Sequence, residues 1–141
     1  PGRRCLVEPV ADFELAIANF IKKAKKNPEL VVRQVTIKLY SQIIMASPVD
    51  TGRFRMNWQV SNKTPATGIL IADDPSGSRA IGRMTAYVTT SKEWENFCFT
   101  NNLPYAERLE YGWSRQAPQG MVRVTVSRFQ RLLNEAAARA D

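Results

Sequence analysis

The chain predicts an α+β fold, with long helices and a few short strands in one domain. Three observations carry this. Apolar residues recur at helical spacing in three long stretches, near 12–26, 28–46 and 121–140. They alternate with polar residues in two short ones, Arg53–Val60 and Glu95–Thr100. Loops rich in Pro, Gly, Asn and Ser separate these stretches. Period 3.6 marks an amphipathic helix, period two a half-buried strand, and clustered turn residues their boundaries. At 141 residues the chain has the length of a single domain, spanning 1–141, and its 44% hydrophobic and 23% charged residues suit a packed core rather than disorder.

In order, Pro1–Val10 lacks periodicity, so residues 1–11 are expected to be an extended arm. Asp12 is a candidate N-cap, followed by Phe13, Ile17, Phe20, Ile21 and Ala24 on one helical face. Lys22, Lys23, Lys25 and Lys26 end that helix, where cations suit the carbonyl end of its dipole. Asn27-Pro28-Glu29 gives cap, proline and acid in sequence, a start signal for a helix to about Ala46. Val32, Val35, Leu39 and Ile43 form one stripe on it and Ile37, Tyr40 and Ile44 a second, so it should bury a broad face against the core or a neighbouring subunit.

Ser47-Pro48 stops that helix, because the residue before proline is pushed out of helical geometry. Asp50 or Thr51 is placed to cap the next element, and Gly52 permits a backbone angle or close approach denied to other residues. From Arg53 to Val60, Phe54, Met56, Trp58 and Val60 alternate with Arg53, Arg55, Asn57 and Gln59, which reads as a strand whose first residues suit a helical turn as well. Ser61–Gly68 is loop, Ile69–Ala72 a brief strand, and Asp73–Ser78 a strong loop. Arg79–Thr90 carries both helical spacing and strand propensity. Glu95–Thr100 is a strand with Phe97 and Phe99 on one face and Cys98 on the other. The last helix, from about Met121 to Ala140, carries Val122, Val126, Phe129, Leu133 and Ala136 on its apolar face.

The segment Thr100–Phe129 concentrates unusual chemistry. Asn101 and Asn102 favour a turn by bonding nearby backbone. Pro104 suits the first position of a helical turn, on which Tyr105 and Leu109 share a face. Gly112 falls where a left-handed helix stop wants glycine. Tyr111, Trp113 and Arg115 then lie in a polar loop closed by Ala117-Pro118-Gln119-Gly120, ahead of Met121. A well-built helix–loop–helix connection accounts for the same residues.

Catalytic chemistry is not evident. Histidine is absent, which removes the commonest acid–base group and metal ligand. No phosphate-loop, zinc-protease, nucleophile-elbow or paired-cysteine motif occurs. Asp73 and Asp74 are adjacent in a loop, where carboxylates point apart and are solvated. The chain is therefore expected not to be an enzyme, with no cofactor and no metal. Cys5 and Cys98 have no metal spacing and read as free thiols of a reducing compartment. No apolar run is long enough to span a bilayer, and no apolar signal core follows Arg3 and Arg4. The net charge of +7 and pI near 9.8 permit an acidic partner such as nucleic acid, though the basic residues are scattered.

Two blocks together resemble a known family. They are SPVDTGRFRMNW (Ser47–Trp58) and NNLPYAERLEYGWSRQAPQGMVRVTV (Asn101–Val126). The resemblance is to the tail-completion, or head–tail joining, proteins of long-tailed bacteriophages. It is carried by Val49, Asp50, Thr51, Gly52 and Arg53 in the first block. In the second it is carried by Asn101, Asn102, Pro104, Tyr105, Ala106, Glu110, Tyr111, Gly112, Ala117, Pro118, Gly120, Met121 and Val122. Roughly a third of the chain is covered, and residues 61–98 carry no matching motif.

The resemblance implies long helices on a small antiparallel sheet, and several copies, expected to be six, in a ring at the virion neck or upper tail. Such a structural protein would be assembled in the host cytoplasm. It would contact the head connector on one side and the tail tube or terminator ring on the other, around a channel for DNA, with the excess positive charge facing either that DNA, in non-specific contact, or an acidic neighbouring ring. A tail-terminator ring is the near alternative, and a basic nucleic-acid-binding module the alternative of a different class. Tyr111, Trp113 and Arg115 are the expected interface anchors, Asp50 and Gly52 would fix the turn before the first strand, and Glu110 could pair with Arg53 or Arg55 within or between subunits.

Overall fold

The computed structural model describes residues 11–139. It is an α+β domain in which six helices surround a two-stranded antiparallel sheet. The helices α1 (Ala11–Ala24) and α2 (Pro28–Ala46) come first, then the single turn α3 (Arg53–Met56) and strand β1 (Trp58–Asn62). After a long loop come α4 (Ser78–Thr90), β2 (Phe97–Asn101), the short α5 (Ala106–Glu110) and the terminal α6 (Val122–Arg139).

Local sequence explains most boundaries. The Asn27 side chain accepts the Leu30 N–H at 3.1 Å, and α2 stops where Ser47 turns extended before Pro48. At the end of α1, Lys25 takes a left-handed backbone angle (φ 53°), which lets the Lys26 N–H reach back to the Ile21 carbonyl. Asp12 lies within the first turn of α1 rather than at its cap. The arm expected for 1–11 falls outside the described residues, except that Ala11 opens α1.

The core is an aromatic column running from α2 through the sheet. Phe99 of β2 stacks on Tyr40 of α2 at 4.0 Å and on Trp58 of β1 at 4.7 Å, and Phe54 of α3 meets Trp58 edge-on at 5.7 Å. The buried Trp58 indole N–H donates to Ser47 Oγ, so the end of α2 and the start of β1 are tied by one buried bond of 2.9 Å. Burial holds the Tyr40 phenol well above its usual pKa, so it stays neutral. Around this column α1 lies on α6, α2 packs on α4 and α6, and α4 covers β1. Arg33 of α2 donates to the Val88 and Ser91 carbonyls and so closes the end of α4.

Several expectations need correction. Arg53–Met56 is a helical turn, and the strand begins at Trp58 and runs on to Asn62. Phe54 and Met56 satisfy both patterns, because two buried residues two apart fit one short turn as well as a strand face. Ile69–Ala72 forms no strand. The Asn57 amide takes the place of a neighbouring strand, accepting the Leu70 N–H at 2.7 Å and donating to its carbonyl at 3.0 Å. Of the two readings left open for Arg79–Thr90, the helical one holds throughout. Asp74 is not solvated but 3% exposed, because its carboxylate accepts the Ala80 N–H in the first turn of α4 at 2.9 Å. Cys98 is disulfide-bonded rather than a free thiol, so the reducing compartment loses its support; Cys5 falls outside the described residues.

Candidate functional site

The two sequence blocks meet in space. Asn101, at the end of β2, donates from its buried amide to the Phe54 carbonyl at 2.9 Å and accepts the Leu103 N–H at 3.2 Å. The Gln116 amide pairs with both backbone groups of Val49, accepting its N–H at 2.8 Å and donating to its carbonyl at 2.9 Å. Tyr105, half-exposed at the start of α5, lies 6.0 Å from the Phe54 ring. The turn before α3 and the loop after α5 therefore form one surface.

In the first block Gly52 is forced by its neighbours. Its φ is +95°, and a Cβ there would strike the Asp74–Pro75 peptide, which passes directly over it. Its carbonyl accepts the Asp74 N–H at 3.0 Å. The cap position of α3 is Gly52, so neither residue offered as a cap holds it; Thr51 Oγ1 accepts the Arg53 N–H at 3.2 Å from one residue before the cap. Asp50 is exposed and holds no part of the turn among the described residues, which removes the role expected for it. Arg53 is exposed as well. Arg55, expected as a partner of Glu110, has a different role. Its guanidinium donates to the Met45, Ser47 and Pro75 carbonyls and ties the end of α2 to the loop before α4.

In the second block Glu110 is central and pairs with neither Arg53 nor Arg55. Although only 7% exposed, its carboxylate accepts the N–H groups of Met121 and Val122 at 2.8 Å and of Arg123 at 2.9 Å. These are first-turn donors of α6, which no residue of α6 satisfies, and the helix dipole favours a negative charge there. Arg123 completes the clasp, donating from Nε to the carboxylate at 3.1 Å and from Nη2 to the Glu110 carbonyl at 2.8 Å. A signal for this existed: α6 begins at Val122, and Met121 before it cannot cap it as Ser, Thr, Asp or Asn would, so the adjoining sequence supplies no side-chain cap.

Two glycines close the loop. Gly112 has φ +91°, and a Cβ there would come within 2.5 Å of the Pro118 carbonyl oxygen. Gly120 has φ +84°, and a Cβ would overlap the Glu110 carbonyl oxygen. Met121 beyond it is fully buried. Asn102 fixes the adjoining loop through the Ala66 and Gly68 carbonyls at 2.9 and 3.0 Å. Pro104 and Pro118 lie on the surface.

What the closed loop presents is aromatic and basic. Trp113 is 72% and Tyr111 61% exposed. Each carries a guanidinium on its ring, Arg108 at 5.0 Å from the centre of Trp113 and Arg123 at 4.4 Å from that of Tyr111. Arg115 is exposed beside them. No cluster of carboxylate, cysteine or histidine groups suited to a metal occurs among the described residues, and none of their helices is long and apolar enough to cross a membrane. Comparison with protein-family models, curated proteins and solved structures finds no match to this chain.

Proposed function

We propose that the chain is a structural protein of a bacteriophage neck or upper tail, which joins the tail to the DNA-filled head as a subunit of a ring. One observation carries the reading. The two blocks that resemble the tail-completion family converge on a single surface, where Asn101, Gln116, Glu110 and two glycines hold a loop that displays Tyr111, Trp113 and Arg115. Trp, Tyr and Arg are the residue types that dominate interface energetics, and ring closure needs an exposed patch on one subunit to meet a different patch on the next. In this reading the ring has six copies, its faces meet the head connector and the tail tube, and its work is geometric rather than catalytic.

The test is electron microscopy of particles made without this protein, then supplied with purified chain. Filled heads beside complete, separate tails, rejoined by the wild-type chain but not by Trp113→Ala, are the expected outcome. Tails of abnormal length would assign the chain to the tail terminator instead. Normally joined particles in its absence would overturn the proposal.

A further inference from the structure

One face of α6 is unusually basic. Gln119, Arg123, Val124, Ser127, Arg128 and Arg131 line an open hollow of about 560 Å³. Arg123 is held by Glu110 at one end. Arg128 and Arg131 are exposed, and no carboxylate lies within ion-pairing distance of either among the described residues. Glu135, the only acid on α6, follows Arg131 by one turn and precedes Arg139 in the last turn.

We propose that this groove binds the phosphate backbone of duplex DNA without reading its sequence. Its polar lining supplies donors, the guanidinium groups, the Ser127 hydroxyl and the Gln119 amide, with Val124 as the apolar member. Groups of this kind bond phosphate oxygens and carry no base information. Arg123 and Arg131 lie eight positions apart on the helix, roughly 12 Å at about 1.5 Å per residue. A duplex presents a phosphate charge about every 1.7 Å of its axis, so it supplies a repeating partner over that length. An acidic protein surface is the lesser fit, because no aromatic lines the groove; Val124 is half-buried, and Tyr111 sits against Arg123 at one edge. The α6 helix N-terminus plays no part, since the Glu110 carboxylate already fills it. The proposal stands apart from the assembly reading, because it concerns what the groove holds whichever particle contains the chain.

The experiment is fluorescence anisotropy of a labelled duplex of arbitrary sequence with the full chain, titrated across a range of salt. The logarithm of affinity should fall with the logarithm of salt at a slope of about −2, the value for two phosphates neutralised by Arg128 and Arg131, since Arg123 is already paired with Glu110. A second duplex of unrelated sequence should bind within about threefold. The double variant Arg128→Ala/Arg131→Ala should lose about two units of that slope and at least about tenfold in affinity at low salt. Arg128→Lys/Arg131→Lys should restore most of both, because lysine keeps the charge. Lys25→Ala/Lys26→Ala, at the far end of α1, should leave affinity within about twofold. Matching melting curves for all variants confirm that each is folded. Failure to bind the duplex at low salt, or binding that the arginine double variant leaves unchanged, would overturn the proposal. So would binding of polyglutamate with the duplex left free, which would assign the groove to an acidic protein.

Discussion

Two helices in this molecule begin on a buried carboxylate that they do not themselves supply. At α4, Asp74 accepts the Ala80 N–H and the Ser76 hydroxyl, all within a turn of seven residues. At α6, Glu110 reaches across a loop of nine residues, 111–119, to take three N–H groups and an arginine. The first arrangement fixes its own turn and little more. The second closes a loop on itself, so every residue between Glu110 and Gly120 inherits a fixed position. That loop, and not the one before α4, carries two large exposed aromatics. A remote cap converts a connection into a mount, and the side chains standing on the mount are free to serve a partner.

Substitutions separate the two arrangements. The largest effect is expected at Gly120→Ala, which combines a left-handed backbone angle with a methyl group driven into the Glu110 carbonyl, and should cost about 4 kcal/mol in urea unfolding. Glu110→Ala should come next at about 3 kcal/mol, because it strands three first-turn donors, with Glu110→Gln losing about half as much. Arg123→Ala should lose far less, since that side chain is largely exposed. An equal loss there would move the weight from the cap to the ion pair and break the comparison. Asp74→Ala, removing a single helix-start bond, should cost about 1–2 kcal/mol. Smallest of all, Trp113→Ala should change unfolding by less than about 0.5 kcal/mol, because the ring is mostly in solvent. A clear drop in thermal stability would show that the loop leans on its aromatic, and would erase the distinction between mount and display.

Much of the fold was legible because its signals are local. Asn27-Pro28-Glu29 opened α2 and Ser47-Pro48 closed it, and the stripes containing Leu39, Tyr40, Ile43 and Ile44 marked its buried side. Gly112 was legible as a left-handed stop. What escaped depends on contacts distant in sequence. Ile69–Ala72 has strand composition, yet Asn57 takes the bonds a partner strand would make. Glu110 was recognised as a motif residue but not as a helix cap, since its partners lie eleven to thirteen positions downstream and no periodicity connects them. Asp73 and Asp74 look alike in sequence, and only the chain crossing at Gly52 buries one and leaves the other in solvent. Arg83 escaped for the same reason. It donates to the Met56 and Trp58 carbonyls, and burial lowers its pKa, a shift opposed by Asp74 and assisted by Arg79.

The placement of the indoles gives the molecule two optical channels. Trp58 is sealed in the aromatic column at 1% exposure and Trp113 stands in solvent at 72%, with the half-buried Trp94 between these extremes. Emission from Trp58 is therefore blue and sheltered from iodide, and it reports on global unfolding. Emission from Trp113 is red and quenchable, and it reports on whatever covers the loop. Docking of a partner would make a red, accessible component turn blue and inaccessible while the sheltered one stays still, so occupancy of the loop is readable in unlabelled protein without disturbing the residues that do the docking.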